Sequence, residues 1–348
     1  MRLHLGHHFY GAGNLGDDFM LAGFLRALRT LRPDARLTAN IPFPLAPAQA
    51  RTPEIDWQPY EFARRQQNIQ QCDAWLGVGG SPFQSALSRW FVDHLITDAV
   101  ICRATGTPMY FLGVGVQSAH ELDFPDVRQL CAQATSIWTR DAASADRLRR
   151  LPALVKVEAA ADLAHLFFQH TAPPRAQPGC LTLVPNFDFG AWTGRDACLR
   201  AVDQLRPVAR VWLAQESRTL PGAEKALHAE LSAPERARWQ LVSPDRDGAP
   251  LADVLSRWPS GEWLITSRFH AAIAGAWAGS KVVVIGINEK LRGIARDLDM
   301  PLIEPDADEA TVLHALKTAQ PLSPPHELAA QAAEACAAFI RSAVAPAR

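Results

Sequence analysis

The sequence predicts an α/β protein made of two Rossmann-like, doubly wound domains that face each other across a cleft. Strand-like and helix-like segments alternate along the first half, and the alternation begins again after a polar, Pro- and Gly-rich segment at residues 169–179. The length of 348 residues exceeds that of one ordinary core. We expect an N-terminal domain over residues 1–170, a second domain over 180–322, and a C-terminal helix over 323–348 that packs back on the first domain.

In the first half, short apolar runs predict strands at residues 3–5, 36–39, 74–78, 109–113, 136–139 and 154–158. Apolar residues spaced at i, i+3 and i+4 predict helices at 17–31, 83–103, 126–134 and 142–149. The same rules applied to the second half predict strands at 181–184, 209–213, 239–242, 263–266 and 282–285. They also predict helices at 195–205, 223–231, 251–257, 269–278, 291–298 and 325–344.

Composition excludes several classes of function. The formal net charge is −1 and no basic run occurs, so we expect no nucleic-acid partner. The six cysteines are scattered without a CxxC motif, which is typical of reduced thiols in a cytoplasmic protein. We expect neither a signal peptide nor a membrane-spanning segment, because His7-His8 interrupt the first apolar stretch and no apolar run approaches roughly 20 residues. His7 and His8 are adjacent, so their side chains point to opposite faces of a strand, and we expect no metal site there.

The most informative stretch is Thr266–His270, which joins an apolar strand to a helix of small residues. Arg268 and His270 therefore lie at the carboxyl end of a strand, where open α/β sheets bind ligands. The helix N-terminus favours an anion, and Lys290 and Arg292 follow the next strand. We expect a small, multiply charged anion at this place. A lone histidine is more often a satisfied, partly buried side chain, but its position beside Arg268 favours a functional role.

Glycine clusters end three strands of the first half. Gly11, Gly13 and Gly16 precede Asp17 and Asp18, which open a helix. The two acids would repel a phosphate, and they suit helix capping, the binding of sugar hydroxyls or general-base chemistry. A capped, tight turn without chemistry is an equally good interpretation of this segment.

Two further glycine clusters follow strands at residues 77–80 and 113–115. Missing side chains at a strand end leave room for a ligand, although loops that need unusual dihedral angles explain each cluster as well. Arg140 ends the strand at 136–139. A salt bridge to Asp141 is the simpler interpretation of this arginine taken alone.

Taken together, these residues resemble the polysaccharide pyruvyltransferase family. The resemblance covers most of the chain and rests on the order and spacing of several short motifs. These are Asn14-Leu15-Gly16-Asp17, Gly79-Gly80 with Gln84, Gly113-Val114-Gly115, Arg140-Asp141, Ala161-Asp162, Arg268-Phe269-His270-Ala271 and Lys290-Leu291-Arg292-Gly293. Two departures from the family pattern affect the acceptor side, namely Gln84-Ser85 in place of an acidic residue and Val116-Gln117 in place of Gly-Pro.

The resemblance implies a glycosyltransferase-B-like fold and a transferase that moves an enolpyruvyl-derived group from phosphoenolpyruvate to sugar hydroxyls, forming a pyruvate ketal. The acceptor would be a sugar or a lipid-linked precursor of a cell-surface polysaccharide, which would allow peripheral association with a membrane. No cofactor or metal is expected. The resemblance implies donor binding by Arg140, Arg268 and Lys290 and catalysis by His270. From their positions we further expect Arg292 to support donor binding and Asp17 or Asp18 to act as the base. We expect the acceptor to be bound by Asn14, Gly16, Gly79, Gly80 and Gln84.

Two other functions remain open at this point. A nucleotide-sugar glycosyltransferase on the same kind of scaffold would use the basic cluster to hold a diphosphate. A non-catalytic glycan-binding protein would keep the scaffold without the chemistry.

Overall fold

The chain folds into two compact units, each built around a parallel sheet. The computed structural model describes residues 1–6, 9–83, 89–151, 155–187, 190–245 and 248–344. The first unit comprises residues 1–12 and 17–167 together with the C-terminal segment from His326 onward, and the second comprises residues 13–16 and 168–325. The short segment Gly13–Gly16 therefore groups with the second unit, although the strand before it belongs to the first.

The sheet of the first unit has seven parallel strands within the described residues, in the order β3-β2-β1-β4-β5-β6-β7. The strands are β1 (Arg2–Leu5), β2 (Arg36–Ile41), β3 (Ile55–Pro59), β4 (Ala74–Val78), β5 (Met109–Val114), β6 (Ser136–Thr139) and β7 (Lys156–Ala159). Every residue of β4 and β5 is buried, as expected for central strands that are covered on both faces.

Helices connect these strands and cover the sheet. They are α1 (Leu15–Leu31), α2 (Leu45–Arg51), α3 (Phe62–Gln71), α4 (Trp90–Thr105), α5 (Pro125–Gln133), α6 (Ala142–Arg149) and α7 (Ala164–His170). A single 3-10 turn at Ala119–Asp123 precedes α5. Parallel neighbours in a sheet require such crossovers, so the alternation seen in the sequence reflects this geometry.

The second unit repeats the arrangement with six parallel strands among its described residues, in the order β10-β9-β8-β11-β12-β13. The strands are β8 (Gln177–Val184), β9 (Ala209–Leu213), β10 (Gln240–Val242), β11 (Gly261–Thr266), β12 (Lys281–Ile285) and β13 (Leu302–Ile303). Its helices are α8 (Arg195–Leu205), α9 (Glu224–Ala229), α10 (Ala233–Arg236), α11 (Leu251–Ser256), α12 (Phe269–Ala278), α13 (Glu289–Asp297) and α14 (Glu309–Thr318).

The predicted α/β class with two doubly wound sheets is confirmed. In each sheet the strand order reverses once, between β1 and β4 in the first and between β8 and β11 in the second. Such a reversal opens a crevice at the carboxyl ends of the two strands, and ligands bind there in open α/β folds. The glycine turn at Gly11–Gly16 follows β1, and the stretch that contains Arg268 and His270 follows β11.

Several elements were not predicted. The segment that contains α2, β3 and α3 was not predicted. The strand β3 alternates buried Ile55 and Trp57 with the exposed Asp56, so it lacks the apolar run that predicts a strand. The edge strand β13 has only two residues. The helix predicted to begin at residue 83 begins at Trp90, and residues 84–88 of that prediction lie outside the described part of the chain.

The last helix, α15 (His326–Val344), belongs to the first unit. It presents a face of buried small residues and Phe339, whose ring is fully buried and contacts the rings of Tyr110 and Trp138. The Tyr110 hydroxyl donates to the carbonyl of Ser342 at 3.2 Å. Among the described residues, no helix combines the length and the apolar character needed to cross a bilayer.

We predict that Phe339→Ala lowers the free energy of unfolding of the first unit by about 3–5 kcal/mol, because it removes a buried ring and leaves a cavity. Urea titration followed by tryptophan fluorescence measures this change as a lower midpoint. Glu334→Ala is the matched control, because Glu334 lies on the exposed face of α15. A Phe339→Ala midpoint equal to that of the control would contradict the packing of α15.

Candidate functional site

The crossover from β11 to α12 is fixed by hydrogen bonds of Thr266 and Ser267. The Ser267 hydroxyl accepts the backbone N–H of Asn186 at 2.5 Å and donates to the Asn186 carbonyl at 2.9 Å. The Thr266 hydroxyl oxygen accepts the backbone N–H of Arg268 at 2.9 Å. Because Asn186 follows β8, these bonds join the two loops at the reversal point of the second sheet, and they hold Arg268 in an extended conformation before α12.

Arg268 forms a two-pronged ion pair with Glu224, the first residue of α9. Its Nε lies 2.7 Å from one carboxylate oxygen and a terminal guanidinium nitrogen lies 3.2 Å from the other. Glu224 is fully buried, and its carbonyl accepts the indole N–H of Trp212 at 2.8 Å. Burial raises the pKa of the Glu224 carboxyl, although the charge of Arg268 acts in the opposite direction. A guanidinium has five N–H donors, and these two contacts use two of them.

His270 lies in the first turn of α12 and is 7% exposed. All ten residues of this helix are buried, which its alanine-rich sequence allows because small side chains permit close packing on both sides. Gly275 illustrates this, since a β-carbon there would lie 2.5 Å from the Leu264 side chain. The imidazole is therefore held in a packed environment at the positive end of a helix dipole.

The segment Gly13–Gly16, called the strap from here on, lies against this part of the second unit. The carbonyl of Gly13 accepts the backbone N–H of Ser217 at 2.9 Å, and Asn14 forms an antiparallel bridge with Glu216. The Gln215 amide donates to the Asn14 side-chain oxygen at 3.2 Å. These contacts bring the predicted residues Asn14 and Gly16 next to the loop that follows β9.

A second carboxylate lies in the same loop. Glu216 is 2% exposed and pairs with Arg218 through two contacts of 2.8 and 3.1 Å. Its negative charge also contributes to the raised pKa of Glu224. Gln215, Glu216 and Glu224 were not predicted as site residues. No local sequence signal distinguishes them from surface carboxylates and amides, because their contacts with Asn14 and Arg268 join residues that are distant in the chain.

Lys290 and Arg292, the other two predicted donor-binding residues of the second unit, lie on α13 after β12. Asn288 caps this helix by accepting the backbone N–H of Leu291 at 3.1 Å. Lys290 is partly buried. Arg292 makes two contacts with Glu304, at 2.5 and 2.6 Å, which lower the pKa of that carboxyl. This pair is far more exposed than the pair formed by Arg268.

In the first unit, Arg140 comes together with two of the predicted glycine clusters. Its guanidinium donates to the Ser81 hydroxyl at 3.2 Å and lies against Gly115, where a β-carbon would be 2.4 Å from the arginine Nε. The Gly115 N–H donates to the carbonyl of Gly80 at 2.8 Å. A carboxylate oxygen of Asp141 lies 3.7 Å from the Arg140 Nε, a long distance for a salt bridge, and the same side chain caps α6. Arg140 itself is only 6% exposed.

The remaining predicted residues also lie in the first unit. Asp18 is buried, accepts the Gly11 N–H at 2.7 Å and forms an ion pair with Arg51. Asp17, its neighbour, is partly exposed. Gly79 and Gly80 have positive φ angles of 68° and 73° and approach the sulfur of Met20 closely.

Gln84, predicted on the acceptor side, lies outside the described residues, as do His7 and His8. Across the part of the chain that the structure describes, no group of three or more His, Cys, Asp or Glu side chains is arranged to hold a metal ion.

Several solved structures share this fold. A putative UDP-N-acetylglucosamine 2-epimerase from Listeria monocytogenes is 13% identical, with a TM-score of 0.64 over 100% of this chain and 97% of that one. MnaA of S. aureus, solved with UDP, is 12% identical, with a TM-score of 0.64 over 98% and 95%. HepE of Anabaena, solved with UDP-glucose, is 10% identical, with a TM-score of 0.60 over 98% and 95%. At these identities the likeness shows the fold alone.

A comparison with curated protein sequences finds no match. The family model described as "Polysaccharide pyruvyl transferase" matches residues 14–289, which is most of the chain. This range begins in the strap and ends at the first residue of α13, so it includes Arg140, Arg268 and His270. The chain belongs to the polysaccharide pyruvyl transferase family.

Proposed function

We propose that this protein transfers an enolpyruvyl-derived group from phosphoenolpyruvate to two hydroxyls of a glycan acceptor, forming a pyruvate ketal. Membership of the family supports a transferase that acts on a glycan. The observation that carries the proposal is the start of α12, where Arg268 and His270 lie two residues apart at a helix N-terminus on the reversal point of the sheet. Such a place suits a ligand with two anionic groups that must also receive a proton.

The reaction needs one acid and two nucleophilic hydroxyls. A proton is added to the methylene carbon of phosphoenolpyruvate, which becomes a methyl group, and the adjacent carbon gains cationic character. One sugar hydroxyl attacks that carbon, and the bond between the carbon and the phosphate oxygen breaks. A second sugar hydroxyl then attacks the same carbon and closes the ketal ring. Of the two hydroxyl protons, one restores the acid and the other leaves with inorganic phosphate, so the equation is balanced without a cofactor.

We assign His270 as the acid and Arg268 as a fork for the carboxylate or phosphate of the donor. Glu224 neutralises much of the arginine charge, so recognition by Arg268 relies on directed N–H groups more than on bare charge. We assign Lys290 as a mobile point charge for the phosphate, with Arg292 in support. Arg140 keeps its predicted role in donor binding.

The general base is Asp17 or Asp18 in the first unit. We favour Asp17 because its side chain is partly exposed, whereas that of Asp18 is buried and holds Arg51 and the Gly11 N–H. A carboxylate that is buried and paired in this way is less able to accept a proton from a sugar hydroxyl.

We predict that His270→Gln lowers kcat for phosphate release by about 10²–10⁴-fold, the usual contribution of a general acid, with donor affinity retained. Phosphate release from phosphoenolpyruvate in the presence of a glycan acceptor measures this. The matched control is His228→Gln, since His228 is also a buried histidine of the second unit. Turnover near the wild-type rate in His270→Gln would remove this residue from the mechanism.

A second prediction concerns the fork. Arg268→Lys keeps a positive charge for the buried Glu224 but loses the two-pronged geometry, so the fold should survive while the Kd for phosphoenolpyruvate rises roughly ten- to a hundredfold. Isothermal calorimetry measures the Kd. Arg210→Lys, which alters an ion pair with Asp203 away from the site, serves as control. An unchanged Kd in Arg268→Lys would refute donor binding by this residue.

A nucleotide-sugar transferase is the second candidate, because structures with this fold have been solved with UDP and with UDP-glucose. In that case the groups at the start of α12 would hold a diphosphate. Family membership favours the first proposal, since the matched family is one of pyruvyl transferases. The two candidates differ in the small molecule that should stabilise the second unit.

We predict that phosphoenolpyruvate at about a hundred times its Kd stabilises the second unit by about 2.7 kcal/mol, which corresponds to a rise in Tm of roughly 5–10 °C. UDP, UDP-glucose and UDP-N-acetylglucosamine at equal concentrations should give no comparable rise. Differential scanning fluorimetry with inorganic phosphate as the ionic control measures this. A rise with the UDP sugars and none with phosphoenolpyruvate would support the second candidate instead.

A further inference from the structure

We infer that Gly16 is a positioning residue for His270. Its backbone covers the Nδ1 edge of the imidazole and so assigns proton delivery to Nε2. This inference rests on the proposed function, since it concerns the same acid. It also changes the role of the strap, whose residues Asn14 and Gly16 were predicted to bind the acceptor.

The carrying observation is the close approach of Gly16 to the ring. A β-carbon built on Gly16 would lie 2.0 Å from Nδ1, 2.7 Å from Cγ and 2.8 Å from Cε1 of His270. Real β-carbons do not come this near to other heavy atoms, so any side chain at position 16 would force the imidazole to turn or the strap to lift. The nearest of the three atoms is Nδ1, which identifies the edge of the ring that faces Gly16.

Backbone conformation does not explain this glycine. Gly11 and Gly13 have φ angles of 69° and 110°, which favour glycine for its conformational freedom. Gly16, in contrast, lies in the first turn of α1 with a helical backbone, where alanine is the better residue. We therefore explain the glycine at position 16 by the space that the imidazole of His270 needs.

The strap is held so that this contact is reproducible. The Asn14 side-chain oxygen accepts the Gly16 N–H and the Gln215 amide, both at 3.2 Å. The Leu15 N–H points to the Gln215 carbonyl at 3.5 Å. Gly13 lies against the loop as well, since a β-carbon there would be 2.6 Å from Glu216. The loop after β9 thus holds the strap in place through these contacts. The strap in turn packs against the Nδ1 edge of the His270 imidazole.

The consequence for the reaction follows from the two ring nitrogens. An imidazole can donate a proton from Nδ1 or from Nε2, and a nitrogen that faces the main chain of Gly16 cannot reach a substrate carbon. Nε2, which is itself buried in this structure, is then the nitrogen that remains to donate to the methylene of phosphoenolpyruvate. A rotated ring would present the wrong atom even though its chemistry were intact, so the contact should affect kcat and leave donor binding unchanged.

Gly16→Ala tests the inference directly. We expect kcat to fall by at least a hundredfold while the KM for phosphoenolpyruvate stays within twofold. Gly190→Ala is the matched control, because a β-carbon at Gly190 meets no atom within 4 Å. A Gly16→Ala enzyme with kcat within twofold of wild type would overturn the inference.

A spectroscopic readout separates positioning from general damage. In ¹⁵N-histidine-labelled protein, the imidazole signals of His270 are identified by their loss in His270→Gln. We expect Gly16→Ala to shift both nitrogen signals of His270 and their pH titration, with the other histidines unchanged. Unchanged His270 signals would overturn the inference even if activity were lost. This measurement needs no turnover, so absent phosphate release by the wild-type protein would count against the proposed function alone.

Asn14→Ala provides a second test that introduces no clash. It removes the acceptor of the Gly16 N–H and the partner of Gln215. Positioning through the strap predicts a lower kcat with the KM for the glycan acceptor unchanged. A raised acceptor KM with normal kcat would overturn the inference and support direct binding of the acceptor by Asn14.

Discussion

The buried ion pair between Arg268 and Glu224 is the interaction on which the geometry of the second unit depends. Glu224 begins α9 and Arg268 precedes α12, so the pair joins two crossovers at the carboxyl edge of the sheet. Breaking a buried pair by removing one partner leaves an uncompensated charge and typically costs about 3–5 kcal/mol. The guanidinium is thereby held in one orientation, which would reduce the entropy lost if it binds the proposed donor.

Comparison of Arg268, Arg292 and Arg140 shows how burial changes the behaviour of an arginine and its partner. Arg292 contacts Glu304 in a half-exposed pair that lowers the carboxyl pKa, whereas burial outweighs Arg268 and raises the pKa of Glu224. Arg140 of the first unit has a different setting, with its guanidinium lying on Gly115 and bonded to Ser81. The buried arginines are oriented by their surroundings, while an exposed pair such as that of Arg292 contributes little to stability.

Much of the fold could be predicted because central parallel strands are continuous apolar runs, as β4 and β5 show. Edge strands such as β3 and β13 escaped prediction because they alternate or are very short. The apolar strand pattern was enough to place Arg268 and His270 between β11 and the start of α12, and their role as site residues stays a prediction. Glu224 and Gly16 could not be linked to them, because a sequence pattern has no information on which distant loops the strand order brings together.

The strap shows why a glycine-rich turn after the first strand is an ambiguous signal. In dinucleotide-binding folds, glycines at this place let the backbone approach a phosphate. Here Gly13 gives space to Glu216 and Gly16 gives space to His270, so at least two glycines of the turn accommodate protein side chains. The acids that follow agree with this interpretation, because Asp18 is bound by Arg51 and the Gly11 N–H. The turn therefore packs against Glu216 and His270, and no phosphate is needed to explain these two glycines.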